Sequence, residues 1–168
     1  IDGSAQFFLP RAEMGQGIST GLSQIVAEEL NLTLDKVDCH YQNTSKIAPC
    51  QMTVGSQSME NYFELTALAA ARLREVLKRI ARKKFSLHTD NLSSVLNGFE
   101  TETGKFIPYT SVVEEKLIED EALEFEDIEL FSKAGPGKTR LVGQRTEPVK
   151  IDDIITGKEI YSRDVVLP

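Results

Sequence analysis

This sequence predicts an α/β fold in the loose, α+β sense: a mixed sheet of short strands, two main helices on one face, and a C-terminal arm. Three observations predict it. Two stretches, near residues 19–31 and 59–83, carry apolar residues at helical spacing. Short runs with two-residue apolar alternation lie around them. Polar turns containing glycine or proline separate these pieces at short intervals.

Taken in order, residues 5–9 read as a strand closed by Pro10, which has no N–H for a continuing ladder. Residues 19–31 form a helix whose Leu22, Ile25, Val26 and Leu30 fall on one face. Over 36–42, Val37, Cys39 and Tyr41 alternate with Asp38, His40 and Gln42, the pattern of a half-buried strand. Residues 43–52 are polar and broken by Pro49, hence a loop. The strongest helix covers 59–83, where Met59, Tyr62, Phe63, Ala69, Ala70, Leu73, Val76, Leu77 and Ile80 make a stripe read as core. Residues 91–109 form a hairpin around a Glu102-Thr103-Gly104-Lys105 turn. Ser111 and Glu114 have capping-box spacing for a helix over 112–120. Residues 123–130 are too acidic for an assignment, and 132–139 form a loop. That loop contains Gly135-Pro136-Gly137-Lys138 but has Ser132 where a phosphate loop needs its leading glycine. Residues 149–168 form an arm, expected to be thinly packed and to fray first. The expected division is therefore 1–148 as one domain and 149–168 as an arm or the start of another.

With 168 residues, 40% of them hydrophobic, the chain suffices for one ordinary core. A net charge of −7 argues against nucleic-acid binding, which needs cations facing phosphates. The charge is uneven: 114–129 is an acidic run and 72–84 a basic block at a helix end, both read as solvated. Glu28, Glu29 and Glu60 are likewise read as helix-surface residues. Cys39, Cys50, His40 and His88 have no metal-ligand spacing, so no metal site is expected. Both thiols read as free and partly buried, with a bridge between them left open. No apolar run approaches the roughly 20 residues of a membrane span. There is no signal peptide and no initiator Met, so the chain is expected to begin inside a longer gene product, with the compartment, cytoplasmic or periplasmic, undecided.

Two segments share one design, a glycine-containing polar turn opening onto an amphipathic helix. The first is Glu13-Met14-Gly15-Gln16-Gly17 and the second Thr53-Val54-Gly55-Ser56-Gln57-Ser58. A helix N-terminus presents unpaired N–H groups and the positive end of the macrodipole, which together hold anions. Capping alone accounts for either turn, but it does not call for a glutamine between two glycines. A side-chain amide there, with donors and acceptors, suits a heterocycle edge.

These residues also carry a resemblance. The first turn, Thr20, residues 24–30 (Gln-Ile-Val-Ala-Glu-Glu-Leu), the second turn and the Ala-rich 65–74 follow one another at fitting distances. With Gly157-Lys158, Tyr161, Asp164-Val165 and Leu167-Pro168, they resemble the molybdenum hydroxylases of xanthine dehydrogenase and aldehyde oxidase type. The similarity is greatest to the bacterial branch formed by the β subunits of isoquinoline 1-oxidoreductase. Val54 departs from it, standing where the family commonly has a second glycine.

The resemblance implies a catalytic subunit that hydroxylates aldehydes or N-heterocyclic aromatics with oxygen from water. Its cofactor would be molybdopterin with molybdenum, in a dinucleotide form, with iron–sulfur clusters on a separate small subunit. Gly15, Gln16 and Gly17 would line the pterin near the metal; Thr53, Gly55, Ser56 and Ser58 would bind the pterin or its pyrophosphate. None would be a metal ligand. No catalytic residue is implied, because the motif bearing the family's glutamate base has no counterpart here; the chain looks like a piece of the larger polypeptide, inactive alone. Two alternatives stand beside this: a non-catalytic binding or assembly module that keeps the fold without the cofactor, and a stand-alone nucleotide-binding protein.

Overall fold

A strand–helix–strand unit opens the chain in the computed structural model, which describes residues 2–41, 45, 50–87, 92–113, 128–135, 137–161 and 164–167. Strand β1 (Ala5–Phe8) is followed by helix α1 (Ile18–Glu29), which crosses to β2 (Val37–His40). The two strands pair in parallel, Phe7 beside Cys39. Parallel neighbours need such a crossover, and the α1 stripe of Leu22, Ile25, Val26 and Leu30 buries itself as its spacing predicts. Helix α2 (Ser58–Lys84) packs along α1. Its buried Ala67, Ala70 and Ala71 keep the contact surface small-sided, so the two helices approach closely.

The remaining strands form a separate antiparallel meander, β3 (Leu92–Val95), β4 (Gly98–Thr101) and β5 (Phe106–Pro108). Parallel and antiparallel pairings are both present, as a mixed α/β fold requires, but they lie in two small sheets rather than one. The expected turn at 102–105 joins β4 to β5, and a second, tight turn at Leu96-Asn97 splits the stretch read as one strand. Asn97 takes φ 62°, the left-handed region that asparagine tolerates, and its N–H donates to the Asn31 carbonyl at 2.8 Å. Gly98 is obligatory: a Cβ there would lie 2.3 Å from the Ile107 carbonyl oxygen.

Two apolar clusters hold these parts. The larger joins Val26, Leu30, Leu77, Ile80, Phe99, Ile107 and Val112, linking both helices to the meander. The smaller, Leu9, Ile18, Leu22, Ile25, Cys39 and Ala67, lies beneath the two glycine turns. The α2 stripe is only partly core. Met59 is 38% exposed although its methyl lies against Gly21 of α1, Ala69 is exposed, and Tyr62 and Phe63 are half-buried.

Several expectations change. Helix α3 covers Tyr109–Val112, so Ser111 lies inside it, its Oγ donating to the Pro108 carbonyl, and Val113 is extended; Glu114, the other half of the expected capping box, lies outside the described residues. So do most of the 112–120 helix and the acidic run, His88, Asn91 and most of the 43–52 loop. Glu28 and Glu29 are buried, not surface residues. Glu29 accepts from Arg74 Nη1 at 2.8 Å and from the backbone N–H groups of Phe131 and Ser132. Glu28 accepts from the N–H groups of Arg140, Leu141 and Val142. Arg74 therefore leaves the basic block for the interior, where its guanidinium carbon sits 3.8 Å from the Phe131 ring centre. No disulfide joins the two cysteines: Cys39 is buried, which pushes its thiol above the ordinary range, and Cys50 is exposed. Among the described residues no helix is long and apolar enough to cross a membrane.

Candidate cofactor site

The two glycine turns lie side by side at one end of the molecule. The Ala12 N–H donates to Thr53 Oγ1 at 2.9 Å, tying the lead of the first turn to the start of the second. Beside it the Arg11 guanidinium, 2% exposed, donates to the Gln51 carbonyl at 2.8 Å and to the Met52 carbonyl. Residues 12–17 and 53–58 thus form one surface built from loops about 40 positions apart in sequence.

At the first turn, Gly15 and Gly17 adopt φ 91° and 79°, a conformation that side chains resist. Glu13 folds back over the start of α1. Its carboxylate accepts from the N–H groups of Gly15 (2.9 Å), Gly17 (3.0 Å) and Ser19 (2.9 Å), and from Ser19 Oγ (2.7 Å). The anion that a helix N-terminus attracts is therefore supplied by the chain itself. This corrects the expectation that both turns leave their N–H groups free: at the first, those of Gly15, Gly17 and Ser19 are taken. Burial pulls the Glu13 carboxyl upward, but the donated hydrogen bonds outweigh it and hold the group below its ordinary value. A lowered folded-state value means stability present above the unfolded value and lost as pH falls through the folded one. Glu13→Gln is expected to be less stable than wild type at neutral pH, with the gap closing as pH drops below the ordinary carboxylate range. Urea unfolding at a series of pH values checks this, and a gap constant with pH would count against it.

Gln16 is braced within the same turn. Its Nε2 donates to the Ala12 carbonyl at 2.8 Å, and its Oε1 accepts from the Met14 N–H at 2.6 Å. A primary amide has two N–H donors and two acceptor lone pairs, so each end keeps one unused in an exposed side chain. The brace fixes which end of the amide is which.

The second turn differs. Gly55 and Ser56 both take left-handed φ, 66° and 55°, and lead into α2 through Gln57. Gln57, the N-cap of α2, makes no side-chain cap bond, and among the described residues the Ser56 and Ser58 hydroxyls have no hydrogen bond. This helix begins among exposed residues, Gln57, Met59 and Glu60, with Glu60 in its first turn.

The C-terminal arm crosses the first turn instead of hanging free. The Val149 N–H donates to Thr20 Oγ1 at 3.0 Å, Tyr41 donates to Glu159, and Lys150 Nζ lies 3.6 Å from the Tyr41 ring centre. Helix α4 (Ile151–Ile155) follows, and a small cavity of about 70 Å³ remains between Glu13, Thr20, Tyr41, Lys150 and Ile154. Burial, reinforced by the Glu159 hydrogen bond, pushes the Tyr41 hydroxyl well above its usual range, keeping it a donor. Much of the arm stays exposed all the same, Ile155 and Ile160 as well as Val165, Val166 and Leu167, so these contacts hold it only at points. Among the described residues no group of three or more His, Cys, Asp or Glu is placed to hold a metal ion.

Sequence reasoning finds both turns but misses their fastenings. Arg11, Tyr41, Lys150 and Glu159 act across 40 to 120 positions, which no local pattern reveals. Glu13 does carry a signal, an acidic residue just ahead of a glycine turn and a helix.

A βαβ crossover with two glycine turns clasped at its end defines a cofactor-binding domain of the α/β kind. A family model described as the molybdopterin cofactor-binding domain matches residues 1–143, and the chain belongs to that family. It is 31% identical over 100 residues to the beta subunit of isoquinoline 1-oxidoreductase from Brevundimonas diminuta, covering 55% of this chain and 13% of that protein. It is 28% identical over 171 residues to the B subunit of nicotinate dehydrogenase from Pseudomonas putida, covering 99% of this chain and 14% of that protein. The chain thus spans only 13% to 14% of the length of these relatives.

Proposed function

We propose that this chain is part of the molybdopterin-binding catalytic subunit of an oxidoreductase that hydroxylates aldehydes or N-heterocyclic aromatics, drawing the oxygen from water. Family membership supports the cofactor class, and the relatives' names, both of oxidoreductase or dehydrogenase subunits, support the reaction class and a partner subunit. The proposed partner is a small subunit carrying the iron–sulfur clusters. When bound, the cofactor supplies the redox and oxygen-transfer chemistry; this chain supplies grip and orientation.

The observation that carries the reading is the contrast between the two turns. The second has an uncapped helix N-terminus with two unengaged serine hydroxyls, which fits phosphate or pyrophosphate oxygens of a dinucleotide form. The first has the N–H groups of Gly15, Gly17 and Ser19 engaged by Glu13 and offers the oriented Gln16 amide, which fits a neutral heterocycle edge. Thr53, Gly55, Ser56 and Ser58 are therefore assigned to the anionic part, and Gly15, Gln16 and Gly17 to the pterin. Residues 1–148 form the binding domain and 149–168 the arm that crosses it.

Gln16→Ala in the full-length protein tests the assignment. Losing two internal hydrogen bonds is expected to lower stability by about 1–2 kcal/mol. Cofactor per folded polypeptide is expected to fall at least about tenfold, as for one lost contact of roughly 1.4 kcal/mol. Unchanged molybdenum, pterin and turnover in a folded variant would contradict it.

A further inference from the structure

We infer that Arg11 is the positioning residue that fixes the spacing between the two cofactor turns, an inference that rests on the molybdopterin reading above. Arg11 and Arg74 are both almost wholly buried, at 2% and 1% exposure, but their surroundings differ. Arg74 is paired with the Glu29 carboxylate. Arg11 has only neutral partners among the described residues: the carbonyls of Gln51 and Met52, the Gln51 side-chain oxygen at 3.4 Å, and the Tyr62 ring, whose centre lies 4.7 Å from the guanidinium carbon. Its Nε has no hydrogen-bond partner.

These contacts define a bracket. Arg11 immediately precedes Ala12, whose N–H reaches Thr53 and whose carbonyl holds Gln16. Its fork grips residues 51 and 52, directly before Thr53, while its face rests on Tyr62, one turn into α2. One planar group thus touches the lead of the first turn, the lead of the second, and the helix that the second turn opens. Lysine has neither the fork nor the flat face to make all three contacts.

The bracket also has an electrostatic side. A buried cation without a counter-ion is costly, and the positive end of α2 lies on the same side of the molecule. Both positive features are relieved by an anionic group at the second turn, in addition to the exposed Glu60 carboxylate that the first turn of α2 already carries.

The test compares wild type, Arg11→Met and Arg11→Lys in the full-length protein isolated with its partner subunit. Three quantities are measured: pterin and molybdenum per folded polypeptide, melting temperature, and amide hydrogen exchange over residues 51–58. Arg11→Met is expected to lose at least about tenfold in pterin content, since a small misplacement of binding groups carries a large penalty. Exchange at 51–58 is expected to rise in both variants, and Arg11→Lys to retain an intermediate amount of pterin. If Arg11→Met does not fold, the lysine variant alone carries the comparison. Pterin equal to wild type in a folded variant, whatever its melting temperature, overturns the inference alone. Pterin absent from wild type overturns the reading on which it rests, and the inference with it.

Discussion

Glu29→Ala is expected to lower folding stability by about 3–5 kcal/mol, the range for breaking a buried ion pair by removing one partner. The substitution strands the Arg74 guanidinium, which is 1% exposed and would keep only carbonyl and ring contacts apart from the half-buried Glu75 carboxylate at 3.2 Å. It also leaves the Phe131 and Ser132 N–H groups without their acceptor. Most of the loss therefore comes from orphaned partners. Glu29→Met combined with Arg74→Met is expected to recover a large part of it, because removing both charges removes the desolvation penalty as well. Urea unfolding of the single and double variants checks both statements. A single-variant loss below about 1 kcal/mol, the size of an ordinary surface change, would contradict the buried network.

Ser56→Ala and Ser58→Ala are expected to act in the opposite manner, leaving stability alone and removing cofactor. Neither hydroxyl caps α2, so truncation is expected to change stability by within about 0.5 kcal/mol. An N-cap serine would instead cost about 1 kcal/mol on removal. Cofactor retention is expected to fall at least about tenfold in each variant, because a lost charge-assisted hydrogen bond is worth more than about 1.4 kcal/mol. Melting temperature and pterin content measured on the same preparations separate the two roles. A drop in melting temperature with pterin retained would make these serines structural.

The parts of the fold legible in the sequence are those whose signal is local. Helices α1 and α2 follow from apolar residues three and four apart, and β1 and β2 from alternation beside a proline and a polar loop. The Leu96-Asn97 turn is less legible: an Asn-Gly pair signals a hairpin with both residues in the loop, whereas here Gly98 already pairs with Val95, and the apolar residues around it suggest one continuous strand. Glu28 and Glu29 read as surface residues because charge usually means exposure. Their partners, residues 131 to 142, lie more than 100 positions away, and only the folded chain brings them together. At the site, sequence places Gly15, Gln16, Gly17, Gly55, Ser56 and Ser58 on the two turns. No sequence pattern shows that Glu13 takes the N–H groups of Gly15, Gly17 and Ser19 while the Ser56 and Ser58 hydroxyls stay unbonded among the described residues, because that difference lies in side-chain direction.

That the paired turns hold a molybdopterin cofactor, with the uncapped start of α2 facing its anionic part, is open to one direct measurement. Pterin and molybdenum per polypeptide are determined in the full-length protein purified with the proposed small subunit, next to a Ser56→Ala, Ser58→Ala double variant of matched melting temperature. Near-stoichiometric pterin in the wild type and little in the double variant is the predicted result. Wild-type protein without pterin, or a double variant that retains it in full, would contradict the claim.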